Sequence, residues 1–218
     1  MIGKIQRVAP WITKVSPEVQ QIIDKLKQLE YQGYQFEGAD SSFELMVRRV
    51  LGRSEKFFEV KDFRVHCEDK WDEKYSAYAV IKISVGDEEE VTAAKGDGPI
   101  NAMDCALRKA LEVFYPDLKK IRLSDYKVRV LNTEEATAAR VRVHIESTDG
   151  EQVWGTVGVS TNIIEASWHA LVDSIEYFLY QEKEKNSEYN YENVDDKKIL
   201  VDNDPVHRVT KVNLSVMV

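Results

Sequence analysis

Metal or nucleophilic chemistry in this sequence would have to come from four histidines, two cysteines or a serine with a base beside it. A metal centre needs ligands at close spacing, as in HxH, HExxH or a His/Cys cluster. His66, His144, His169 and His207 form none of these. His66 and His144 also fall on the polar side of alternating segments, which predicts that they face solvent. Cys67 and Cys105 have no CxxC spacing and read as reduced thiols. Ser160 has no GxSxG frame and no evident base. Gly96-Asp97-Gly98-Pro99 has the outline of a phosphate turn, but it lacks both GxGxxG and the Walker lysine-serine pair. The residues therefore predict no catalytic site, no metal site and no cofactor in this chain.

Anion chemistry is the exception. Gly96-Asp97-Gly98-Pro99 and Ser160-Thr161-Asn162 each lead out of a strand into a helix. A helix N-terminus offers unpaired N–H groups and the positive end of a dipole. Two such starts related by a twofold would suit a small carboxylate, with Ile100, Ile163 and Ile164 lining a place for an aliphatic side chain. The plainer reading is that these residues only cap and pack helices, and physics alone favours it.

The elements behind these starts are duplicated. After Gly96, residues Ile100, Met103, Leu107, Leu111 and Phe114 recur at three and four residues, one buried helix face. The pattern returns 64 positions later, with Ala170, Leu171, Ile175 and Phe178 over Ala106, Leu107, Leu111 and Phe114. Ahead of each helix the period is two. Phe63, Val65 and Cys67, then Ala77, Ala79, Ile81 and Ile83, then Val91 to Ala94 predict three strands, with a hairpin at Gly86-Asp87. Tyr126, Val128 and Val130, then Ala139, Val141, Val143 and Ile145, then Val153 to Val159 predict three more, with a hairpin at Asp149-Gly150. Asn162 and Glu165 are spaced as a capping box for the second helix, which the pattern ends near Tyr180. The fold class is α+β: duplicated βββα units, about 57–116 and 121–181, with pseudo-twofold symmetry. Each sheet has one covered face and aliphatic positions to spare, which predicts a dimer.

Before the repeats, residues 1–15 show no clear period. Residues 16–52 read as a helix pair. Ser16-Pro17 opens the first helix and Gly33 closes it; Ser41 with Glu44 forms a capping box for the second, which Gly52 ends. The pair is too small to stand alone and is expected to pack on the rest. Residues 182–218 are charged and without a period, and read as a solvated, mobile tail; Val206, Val209, Val212, Leu214 and Val216 would suit one further strand. The balance is acidic, 30 Lys+Arg against 38 Asp+Glu in 218 residues, which disfavours nucleic acid and anionic membranes as partners. No apolar run approaches a membrane span and no signal peptide opens the sequence, so a cytoplasmic protein is expected.

Four stretches carry a resemblance: GYQFEGADSSFELMVRR (33–49), TAAKGDGPINAMDCALRKALEVFYP (92–116), LSDYKVRVLN (123–132) and IESTDGEQVWGTVGVSTNIIEASWHALVDSIEY (145–177). Together they resemble the C-terminal part of citramalate synthases, of the isopropylmalate synthase family, over about residues 17–181. That resemblance implies an N-terminal TIM barrel holding a divalent metal and condensing an acyl-CoA with a 2-oxo acid. A helical linker subdomain follows, here 16–52. A regulatory domain comes last, here 57–181; it dimerises and binds an end-product amino acid, leucine or isoleucine, as feedback effector. No barrel-length βα series lies in this sequence. The resemblance places effector contacts at Gly96, Asp97, Gly98, Pro99 and Asn101, and at Gly158, Ser160, Thr161, Asn162 and Ile164. It places a linker contact to a partner's active site at Tyr34 and Glu37. The expected partners are a branched-chain amino acid, a second copy of the chain and a separate TIM-barrel synthase chain. Two alternatives stay open: a subunit that completes a split synthase, and a dimerising remnant that binds no ligand.

Overall fold

The computed structural model describes residues 2–68 and 76–202. Its first departure from the sequence reading is at the N-terminus, where residues Ile2–Val8 form a helix, α1. Ile2, Ile5 and Val8 are three apart and share one side; Ile5, Ala9 and Ile12 are fully buried. They pack with Ile22 of α2 (Pro17–Tyr31) and with Phe43, Met46 and Val47 of α3 (Asp40–Val50), giving the helix pair a small core that the sequence reading lacked. Trp11 stays half exposed under the Arg53 guanidinium, 3.8 Å from its ring centre.

Glycine closes both helices of the pair as predicted. Gly33 and Gly52 take positive φ of 104° and 64°. After α2, the Gly33 and Tyr34 N–H groups reach back to Glu30 and Leu29; after α3, those of Gly52 and Arg53 reach Arg49 and Arg48. This is the paired bonding that a left-handed residue past a helix end permits. The openings differ from prediction. The Ser16 hydroxyl accepts the Thr13 N–H and gives α2 no side-chain cap. The box predicted from Ser41 and Glu44 does not form: α3 begins at Asp40, Ser41 is buried inside it, and Glu44 pairs with Arg48 one turn on.

Two three-stranded antiparallel sheets follow. The first is β1 (Glu59–Glu68), β2 (Ser76–Val85) and β3 (Glu88–Gly96), with β2 central. Ala77, Ala79, Ile81 and Ile83 are fully buried where α4 (Pro99–Leu111) packs on β2, and Met103, Leu107 and Leu111 of α4 are fully buried too. The helix stops at Leu111, short of Phe114, and a 3-10 turn at Pro116–Lys120 leads on. The second sheet is β4 (Arg122–Val130), β5 (Val141–Thr148) and β6 (Val153–Ser160), with β5 central and α5 (Ile163–Asp202) after it. Ala139 precedes β5 and is not part of it.

The duplication extends to detail. β1 carries a register shift between Val60 and Asp62, and β4 one between Leu123 and Asp125. The buried Thr92 hydroxyl donates to the Ala106 carbonyl at 2.9 Å, and the buried Thr156 hydroxyl to the Ala170 carbonyl at 2.8 Å. Both partners are 64 residues on from their counterparts. Each hydroxyl thus pins a helix to the edge strand before it.

Residues up to Tyr177 form one compact unit, and a second begins at Phe178. In the second unit α5 runs on to Asp202, where the sequence reading ended it near Tyr180. From Ile163 to Asp202 there is neither glycine nor proline, and Glu182 pairs with Lys185 along the helix. His207 and the alternation from Val206 to Val216 lie outside the described residues.

Candidate functional site

At the first helix start, Gly96 leaves no room for a side chain, since a Cβ there would strike the Ala102 backbone. Gly98 precedes the helix with extended backbone, Pro99 takes the first turn, and no side chain caps it. Asn101 Oδ1 accepts the Asp97 N–H at 3.2 Å, folding the turn over the helix end.

The second start is more elaborate. Asn162 Oδ1 accepts the Ile164 N–H at 2.9 Å, a true cap. The Asn162 N–H does not reach Glu165. It donates to Ser160 Oγ at 3.0 Å, and that hydroxyl donates to Glu165 Oε2. The predicted capping box therefore closes through Ser160. Gly158 lies against the Ala166 carbonyl, where a Cβ would clash. Thr161 is exposed, and Ile164 is half-buried.

Asn162 and Glu165 border an open pocket of about 660 Å³ with Val60, Lys61, Asp62 and Phe63 of β1 and Trp168 and His169 of α5. Phe63 stacks on Trp168 with ring centres 4.7 Å apart. A strand of the first repeat thus meets the helix start of the second. Gly96, Asp97, Gly98, Pro99 and Asn101 line neither this pocket nor the second cavity beside it. Among the described residues these two cavities hold only Asn162 of the two predicted sets of effector residues.

A second cavity, about 630 Å³, lies where α2, α3 and the link between them meet β6 and α5. Tyr34 lines it and stacks on Phe36. Burial raises the Tyr34 phenol pKa, and the Val159 backbone partly offsets this. Glu37 is exposed and accepts from Gln35 Nε2 at 3.4 Å. The link is gripped by β5: Arg142 Nε donates to the Gly33 carbonyl at 2.6 Å, and His144 Nε2 meets the Gly38 carbonyl at 2.7 Å. His144, predicted to face solvent, is half-buried because the link of the helix pair packs on that face. Gly155 permits the approach, since a Cβ there would strike the Gly38 carbonyl.

Sequence reasoning missed the polar hub of this joint. Ser42 Oγ accepts the Val157 N–H at 3.0 Å and donates to Asp173 Oδ2 at 2.7 Å, so it occupies the open edge of β6. Arg49 Nη2 donates to Asp173 Oδ1 at 2.7 Å and Glu176 Oε2 at 2.6 Å. Burial alone would lower the Arg49 pKa, but the two carboxylates outweigh it and raise it. Burial raises the Glu176 pKa, and Arg49 offsets only part of that. Ser42 and Asp173 are 131 residues apart, and no local pattern in the sequence points to their pairing.

Among the described residues no cluster of three His, Cys, Asp or Glu side chains suits a metal ion, and no helix is long and apolar enough to cross a membrane.

Comparison with known proteins accounts for this architecture. Residues 37–179 match the family described as the LeuA allosteric (dimerisation) domain. The chain is 48% identical over 186 residues to the (R)-citramalate synthase of Aquifex aeolicus, covering 85% of this chain and 35% of that protein. It is 53% identical over 169 residues to the (R)-citramalate synthase of Geobacter sulfurreducens, covering 77% and 32%. The 2-isopropylmalate synthase of Shewanella woodyi is 30% identical over 128 residues, covering 59% and 22%. The matches fall on the C-terminal part of the citramalate synthases, and the chain spans about a third of their length.

Proposed function

The chain belongs to the LeuA allosteric (dimerisation) domain family, and from that premise we propose that it is a feedback-regulatory module that binds a branched-chain amino acid, isoleucine or leucine. The observation that carries this is the family match across both repeats, together with the pocket at the α5 start. That pocket joins a capped helix N-terminus to apolar Val60, Phe63 and Trp168. A carboxylate suits the helix start, and an aliphatic side chain suits the apolar wall. In this reading Asn162 faces the effector directly, while Gly158, Ser160, Thr161 and Ile164 shape the helix start around it. The Gly96–Asn101 turn joins such a site across a dimer or forms its own.

A second copy is the partner that the family description and the surface both support. Tyr126, Val128 and Val130 pair with Ile145, Val143 and Val141 on the helix-facing side of the sheet, yet they are 37%, 41% and 48% exposed. The counterpart of Tyr126 in the first repeat, Phe63, is covered by Trp168.

Because the chain covers only about a third of its citramalate synthase relatives, condensation of acetyl-CoA with a 2-oxo acid would fall to a barrel on a separate chain or in a longer protein. In that assembly the helix pair with Tyr34 and Glu37 is the part that reaches the catalytic unit. A thermal melt with isoleucine, leucine and, as control, lysine tests the effector reading. At a hundredfold excess over Kd the gain is about 2.7 kcal/mol, or roughly 5–10 °C for a chain of this size. Equal melting points with isoleucine, with leucine, with lysine and without ligand would contradict it.

A further inference from the structure

The cavity at the joint of the helix pair and α5 shares Val60, Trp168 and His169 with the pocket at the α5 start but is otherwise lined by other residues, and we propose that it is a second ligand site, for an apolar monocarboxylate. Its volume, about 630 Å³, falls in the range of roughly 300–1,000 Å³ typical of small-molecule sites. Its walls are mostly apolar: Leu29, Phe36, Met46, Val50, Trp168 and Val172.

The polar groups decide the head group. The one acid on the lining is already satisfied, with Asp173 Oδ1 on Arg49 and Oδ2 on Ser42. The donors are not. Arg49 serves both Asp173 and Glu176 through Nη2 alone; its Nε and Nη1 make no hydrogen bond among the described residues. Among the described residues Lys25 Nζ meets only the Gln28 amide oxygen, at 3.3 Å. What the site lacks is an acceptor, and a carboxylate supplies one with the charge that strengthens such bonds. Lys25 and Arg49 balance Asp173 and Glu176, so the site starts neutral and suits one negative charge better than two. A molecule seated there would touch α2 and α3 on one side and α5 on the other, and would hold the joint together.

Calorimetry on the whole chain with octanoate as probe tests this, with octylamine as the cationic control. Two variants report on the site: Lys25→Glu at the exposed mouth and Val172→Trp, which fills the volume. Octanoate is expected to bind saturably and to weaken about tenfold or more in each variant, while octylamine is not weakened by Lys25→Glu. Isoleucine, which the effector reading places elsewhere, is expected to bind both variants as it binds the unmodified chain. Should Val172→Trp fail to melt cooperatively, Lys25→Glu decides alone. No saturable octanoate binding, octanoate binding unchanged by Lys25→Glu, or loss of isoleucine binding together with octanoate would overturn the proposal.

Discussion

Replacing Arg49 by methionine should loosen the joint between the helix pair and the second repeat, and do so more at high pH than at low. The stem of the side chain is kept; the charge is not. Asp173 and Glu176 are left with side chains only 14% and 20% exposed and without their shared cation. Removing one partner of a fully buried pair costs about 3–5 kcal/mol. Arg49 itself is 44% exposed, so water screens part of the loss; about 2–3 kcal/mol at pH 8 is the expected deficit. The pH dependence follows from Glu176. Burial raises its pKa above the ordinary 4.5, so the folded chain holds its proton to higher pH than the unfolded chain does. Such a group costs stability as pH rises through that window. Without Arg49 the pKa rises further and the window widens upward. Urea unfolding of both proteins at pH 8 and pH 5 should therefore show the deficit shrinking towards pH 5. A deficit below about 0.5 kcal/mol at pH 8, the ordinary scatter of surface substitutions, or one that does not change with pH, would mean that Arg49 does not anchor the joint through Asp173 and Glu176.

Thr92→Val and Thr156→Val should each lower stability by about 0.5–1.5 kcal/mol, and by nearly equal amounts, because each removes one buried hydroxyl bond to a helix carbonyl; urea midpoints differing several-fold between them would break the equivalence of the repeats. Gly155→Ala forces a methyl group into the Gly38 carbonyl, at a cost of about 1–3 kcal/mol; amide exchange along Asp40–Val50 should speed up, and unchanged protection there would count against the docking. Thr161→Asp places a charge just ahead of α5, where it is worth about 0.3–1 kcal/mol in favour of the fold. The same charge should weaken binding of an amino-acid carboxylate at that start. Melts of the variant should therefore keep their midpoint and lose the rise on adding isoleucine or leucine; a full rise would move the effector to the Gly96–Asn101 turn.

The sheets were legible because alternation over Ala77–Ile83 and Val141–Ile145 reports a buried face directly, and the helices because their apolar residues recur every three or four. The N-terminal helix was legible in principle from Ile2, Ile5 and Val8, but a single short stripe is a weak signal. The capping boxes misled for a physical reason. Ser/Asn and Glu three apart suit a cap equally well when the side chains have other partners: Glu44 has Arg48, and Glu165 has Ser160. The missed joint depends on Ser42, Arg49, Arg142 and Asp173, which meet only after the chain has folded back over more than a hundred residues. The helix starts could be read as capped ends, but not whether they share a cavity, since that depends on where the sheets place them.

If this module holds a branched-chain amino acid, isothermal titration of isoleucine and of leucine into the whole chain detects it without relying on stability. Saturable heat is expected from at least one of them, with a Kd between about 1 μM and 1 mM, and none from lysine. A folded chain that gives no saturable heat with either amino acid up to about 10 mM, well beyond that range, would contradict it.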